Sequence, residues 1–188
     1  MAFTCLANSN PPTRKPSTGV EMDIFSHALW GYGLFGFGRW GYKRYAALAI
    51  LFGAMPDLIS FGAFTVLQLA NGTWQPGAPP LDTLPSWIYP AYSFGHSFVV
   101  SLGVIGLVSL WRRDIAFTML AWPFHIVLDF PFHALSYFAT PVLWPLSDFR
   151  IDGIPWSHWY IWYPNIAGLA VLLIYRYRQK RRLRKPAS

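Results

Sequence analysis

His125 and Asp129 are separated by four residues in His125-Ile-Val-Leu-Asp129. On a helix this spacing puts both side chains on one face, where they can grip one cation together. An imidazole nitrogen beside a carboxylate oxygen is the donor set of catalytic zinc and other borderline divalent metals, which keep one position open for water. Residues of the same two types recur in or beside apolar runs: His27, four residues after Asp23; Asp57 in Gly53-Ala-Met-Pro-Asp57; His96 in Ser93-Phe-Gly-His96; and His133, four residues after Asp129. An acid or imidazole inside an apolar segment costs a few kcal/mol or more unless it is paired or lines a cavity. Each also has a plainer reading: His125 and Asp129 as a helix-surface pair, Pro56-Asp57 as a helix cap, His158 between Trp156 and Trp159 as an interfacial ring. The lone cysteine, Cys5, rules out a structural thiolate site.

These residues must be positioned by unusual elements. Of 188 residues 54% are apolar, 19% aromatic and only 12% charged, whereas a soluble domain carries about 25% charged residues. The composition predicts an all-α integral membrane bundle of about five membrane segments, at 21–38, 45–70, 97–111, 115–130 and 158–175; the first is short enough to be re-entrant. Glycines 31, 33, 36 and 38 in the first allow another helix to approach closely, and Pro56 predicts a kink or break in the second. Residues 71–93 read as a surface loop, 131–157 as irregular, 1–20 as a disordered tail, 21–176 as a single membrane-embedded domain and 177–188 as a basic cytoplasmic tail.

The net charge of +7 does not indicate nucleic acid. Twelve of the 15 Lys and Arg flank apolar segments, at Arg39, Lys43 and Arg44, at Arg112 and Arg113, and seven times between Arg176 and Lys185. That is the positive-inside pattern, not an interleaved docking face. Placing every basic cluster in the cytoplasm puts the C-terminus inside and the 71–93 and 131–157 stretches outside. Asp57 then lies twelve residues beyond Tyr45, about 18 Å of helix. With it, His27, His96, His125 and Asp129 converge on the outer half of the bilayer, although no histidine or aspartate was used to draw the path.

The ordered motifs Asp23-Ile-Phe-Ser-His27, Gly53-Ala-Met-Pro-Asp57, Gly95-His96-Ser97, His125-Ile-Val-Leu-Asp129-Phe-Pro-Phe-His133 and Leu143-Trp-Pro-Leu-Ser147 resemble bacterial inner-membrane proteins described as predicted membrane-bound metal-dependent hydrolases, some of them LexA-regulated. The resemblance covers about residues 22–160. It implies a helical, membrane-embedded His/Asp metal site with a hydrolytic role, in a ligand arrangement similar to that of zinc-dependent phospholipases C. This chain departs from the pattern where relatives have Pro-Asp-Ile-Asp-His in place of Pro56-Asp57-Leu58-Ile59-Ser60, and His-Arg-Gly-x-Thr-His in place of the stretch ending in His96. One Asp and two His fewer argue against a second cation unless His133 compensates.

The expected metal residues are therefore His27, Asp57, His96, His125, Asp129 and His133, holding zinc, with Asp57 and Asp129 as the catalytic pair, one of them the base. An outer-half site near Trp87, Trp144, Trp156 and Trp159 points to a phosphate or ester bond of a lipid-like substrate. A phosphohistidine lipid phosphatase is the weaker enzymatic reading, because no Arg precedes His125 to clamp a phosphate. The alternative class is a non-enzymatic metal or proton carrier or a scaffold. Against a carrier, the inner halves of the segments (AALAILFG, GVIGLVSLW, AVLLIY) are apolar.

Overall fold

The computed structural model describes residues 24–36 and 43–183, and all regular structure among them is helical, as the composition predicted. The expected tail over 1–20, Cys5, Asp23, Arg39 and the basic residues after Leu183 lie outside the described residues.

Helix α1 (Ile24–Phe35) packs antiparallel on α2 (Lys43–Asp57). The closeness of the pair depends on glycine. A Cβ on Gly31 would stand 2.5 Å from the Ala49 carbonyl oxygen and 3.2 Å from Ala121 Cβ, and one on Gly53 would stand 2.6 Å from the His27 carbonyl oxygen. Gly33 likewise accommodates Leu172. These are the close approaches expected of the glycine-rich first segment; Gly38 lies outside the described residues.

Pro56 lacks an N–H and crowds the carbonyl four residues earlier. The chain absorbs this with a π-helical turn over Leu58–Gly62, which leads into α3 (Ala63–Ala70). Buried Ser60 donates its hydroxyl back to the Pro56 carbonyl, 3.1 Å away. Tyr45–Ala70 thus stays one continuous helix, with a mean hydropathy of 1.7, long and apolar enough to cross a membrane.

The 71–93 stretch corrects the sequence expectation, because its end forms α4 (Ile88–Gly95). Ile88 and Tyr92, four residues apart, are both buried, and Ile88 packs with Phe64 and Leu84. Pro90 falls in the first turn, where a missing N–H costs nothing. The chain then bends by 57° into α5 (Phe98–Ser109), whose first turn Ser97 caps by accepting from the Val100 N–H at 3.2 Å. This bent pair is the second candidate crossing element. The segment expected at 115–130 is divided at Leu120 into α6 (Arg113–Met119) and α7 (Ala121–Asp129). Pro123 explains the division, since it cannot bond to, and sterically opposes, the Met119 carbonyl. Helix α8 (Trp159–Leu183) continues through the basic residues that were expected as tail from 177; Arg, Lys, Gln and Leu are strong helix formers, and cations suit a helix C-terminus.

Helices α1, α5 and α8 run one way, α2 and α6–α7 the other. At one end the Tyr45 hydroxyl donates to Asp114, which also pairs with Arg112 at 2.9 Å, so the start of α2 is tied to the α5–α6 turn. Arg112 and the Tyr45 hydroxyl hold the Asp114 carboxyl well below the usual carboxylate range. At the same end Arg176 of α8 donates to the carbonyls of Gly33 (2.6 Å) and Leu34 (3.3 Å), satisfying the last turn of α1. Arg112, Arg113 and the basic stretch of α8 therefore share one end of the bundle.

Candidate metal centre

At the opposite end, α7 contributes His125 and Asp129, both fully buried, with His125 Nε2 3.0 Å from Asp129 Oδ2. The bend between α4 and α5 contributes His96, whose Nε2 lies 3.1 Å from Asp129 Oδ2 and 3.1 Å from His125 Nε2. Asp57, the last residue of α2, presents Oδ1 at 3.5 Å and 3.6 Å from the same two nitrogens. The four donors lie within 4.8 Å of one another.

The backbone behind them orients each ring. His125 Nδ1 donates to the Gly53 carbonyl at 2.7 Å and His96 Nδ1 to the Tyr92 carbonyl at 2.9 Å. A second close approach sets His96 beside Asp57: a Cβ on Gly95 would lie 3.0 Å from the Pro56 Cα and carbonyl oxygen, and Trp122 donates to the Gly95 carbonyl at 2.6 Å.

Carbonyls only accept, so both Nδ1 atoms carry protons, and each ring in its neutral form turns its Nε2 lone pair inward. Two Nε2 atoms 3.1 Å apart, facing two carboxylates, need a positive charge among them, which a proton on one imidazole or a bound cation supplies. Donors arranged tetrahedrally about zinc at about 2.0–2.1 Å stand about 3.3 Å apart. The observed separations of 3.0 to 3.6 Å bracket that value. The buried group can hold a metal ion. The chain matches no family model, no curated protein and no solved structure.

Of the six residues expected at the metal, the structure brings four together: Asp57, His96, His125 and Asp129. His27 stands behind this group, with Nε2 3.0 Å from Oδ1 of Asp129, the oxygen turned away from His96 and His125. His133 also stays outside it. α7 ends at Asp129 and Pro131 follows, so the His133 ring turns back, its Nδ1 donating to the Asp129 main-chain carbonyl at 3.2 Å and lying 3.8 Å from Oδ1. His158 is exposed and stacks on Tyr160, in keeping with its interfacial reading. Among the four tryptophans expected around the site, Trp87 and Trp159 are exposed, whereas Trp156 is buried against Phe132.

Sequence reasoning missed the Gly53 and Tyr92 carbonyls and the Trp122 indole. Tyr92 carried a signal, since it precedes His96 by four residues and its ring stacks on the imidazole at 3.8 Å; Trp122 carried none. Asp57 is 21% exposed while the other three donors are 1% or less, so the centre opens on the Asp57 side.

Proposed function

We propose that the protein is a membrane-embedded, metal-dependent hydrolase whose cation, zinc by its donor set, is held by His96, His125 and Asp129, with Asp57 beside it on the open side. The observation that carries this reading is the pair of Nε2 atoms 3.1 Å apart whose Nδ1 atoms are both committed to carbonyls. The resemblance of the ordered motifs to those of the bacterial inner-membrane hydrolases supports the same reaction class. When bound, a divalent cation supplies Lewis acidity and a water acidified toward neutrality. The chain's own residues do the rest. His96 and His125 present fixed lone pairs, buried Asp129 supplies negative charge, and Asp57, longest in its contacts and alone in reaching the surface, is the base that takes a proton from the attacking water.

The membrane reading has five segments: α1, α2 with α3, α4 with α5, α6 with α7, and α8. It is supported by apolar side chains that no soluble surface would collect, among them Leu102, Leu107, Leu110, Trp111 and Val171, each more than half exposed. With the basic end in the cytoplasm, the chain sits in a bacterial inner membrane with its C-terminus inside and the metal centre toward the outer face. Exposed Trp87 and Trp159 suit a lipid interface there, and the substrate is a phosphate or ester bond of a lipid-like molecule.

Protein purified in detergent is expected to carry about one divalent cation per chain and to hydrolyse a phospholipid or a lipid pyrophosphate. Metal without turnover on either class would favour a carrier or scaffold, and a value near two would show that His133, Asp148 or His158 completes a second site. The orientation has its own test. In a Cys5→Ser background, Thr83→Cys is expected to react with an impermeant thiol reagent on intact cells and Ser188→Cys only after lysis; reaction of Ser188→Cys on intact cells would reverse the topology.

A further inference from the structure

Helix α1 contributes none of the four donors, yet it carries a histidine that is 2% exposed at the heart of the site. We infer that His27 is a positioning residue, which holds the two α7 ligands, Asp129 and His125, in ligating geometry without binding the cation. The inference rests on the metal-centre reading above.

Three contacts support it. First, His27 Nε2 lies 3.0 Å from Asp129 Oδ1, whereas Oδ2 is the oxygen facing His96 and His125. The carboxylate is thereby divided, with one oxygen for the imidazole behind it and one for the centre, which favours single-oxygen ligation and keeps a coordination position open. Second, the His27 ring lies against the His125 ring with centroids 3.7 Å apart and planes tilted by 31°, which blocks rotation of His125 away from the centre. Third, the His27 main-chain carbonyl is the group against which Gly53 closes, and the Gly53 carbonyl holds His125 Nδ1.

The contact with Asp129 is a close approach of 3.0 Å rather than a linear hydrogen bond. Among the described residues neither Asp129 Oδ1 nor His27 Nδ1 completes a hydrogen bond, and the next imidazole nitrogen, His133 Nδ1, is 3.8 Å from Oδ1. Removing the His27 imidazole leaves a buried carboxylate oxygen without its nearest compensating group, free to turn toward the centre or away from it.

The test is cobalt(II) titration of the detergent-purified chain, because the visible bands of cobalt(II) report the geometry of its ligands. His27→Phe keeps a ring against His125 and removes the polar contact; His27→Gln keeps an N–H near Oδ1. Both variants are expected to reach the parental stoichiometry at saturation. His27→Phe is expected to bind about 10- to 100-fold more weakly, with shifted bands, and His27→Gln to recover part of the affinity and the parental spectrum. Unchanged affinity and spectrum in both variants would overturn the inference. So would loss of binding at saturating cobalt(II) in both folded variants, because His27 would then be a ligand. If His27→Phe does not fold, the His27→Gln spectrum and affinity decide alone. A parent chain that binds no cobalt(II) would instead overturn the metal-centre reading itself.

Discussion

Asp129→Asn is expected to empty the centre of metal while leaving the helices folded. The amide matches the carboxylate in size but lacks the charge that a divalent cation requires. It also adds an N–H where His96 and His125 turn their lone pairs, 3.1 Å and 3.0 Å from Oδ2. The metal-free fold is therefore expected to be no less stable than the metal-free parent, since the amide supplies the hydrogens that the two facing nitrogens lack. His125→Ala is expected to lose metal for a different reason and at a cost. It deletes a donor, removes the buried hydrogen bond to the Gly53 carbonyl and leaves the space of the ring empty, which destabilises the fold by about 1–3 kcal/mol. In both variants the fall in affinity is expected to exceed the 10- to 100-fold typical of a residue one shell out. His158→Ala, exposed and stacked only on Tyr160, is expected to retain parental metal. Metal per chain in detergent, measured beside the melting temperature, checks all three. Parental metal in Asp129→Asn and His125→Ala would reduce the pair to an ordinary contact on the surface of α7 and favour the scaffold reading.

The centre was legible in the sequence to the extent that depth and helix face determine it. The four-residue spacing aligned His125 with Asp129, and counting helical rise from Tyr45 placed Asp57 level with them. The basic clusters used to draw the path do gather at one end, where Tyr45 meets Asp114 and Arg176 meets the last turn of α1. Rotation about each helix axis was not legible. His27 lies level with Asp129, but whether it meets the cation or the back of Asp129 depends on how far α1 turns as Gly31 and Gly53 close the gap between helices. His133 shares the four-residue spacing from Asp129, yet the spacing has meaning only while the helix lasts, and α7 stops at Asp129. Helix α4 was hidden because Pro85, Pro90 and Gly95 weaken every local signal; the burial of Ile88 and Tyr92 against Phe61, Phe64 and Phe138 outweighs them. The π turn was anticipated only as a disturbance at Pro56, because whether a helix breaks there or takes up an extra residue depends on what packs against it, in this case Gly95 on the Pro56 backbone.

Gly53 is where helix packing and metal chemistry meet, and its substitution separates this centre from a loosely assembled one. A methyl group added there meets the His27 carbonyl oxygen at 2.6 Å and the His27 carbonyl carbon at 3.3 Å. Both are backbone atoms, so relief requires α1 and α2 to move apart and cannot come from a side-chain rotation. Overpacking of this kind costs about 1–3 kcal/mol. The same displacement carries the Gly53 carbonyl away from His125 Nδ1, now 2.7 Å distant, and shifts His27 relative to Asp129. Gly53→Ala is therefore expected to lower the melting temperature and weaken metal binding together, and Gly53→Val to do both more strongly. Gly103, in α5, is the matched control: a Cβ there meets nothing within 4 Å. Gly103→Ala is expected to leave metal content unchanged and to stabilise the helix by up to about 1 kcal/mol through its higher helix propensity. Thermal melting and cobalt(II) affinity of the three variants decide the matter. Gly53→Ala with parental affinity would show that the acceptor of His125 can move without consequence, and that His125 is not held in place through its Nδ1 proton.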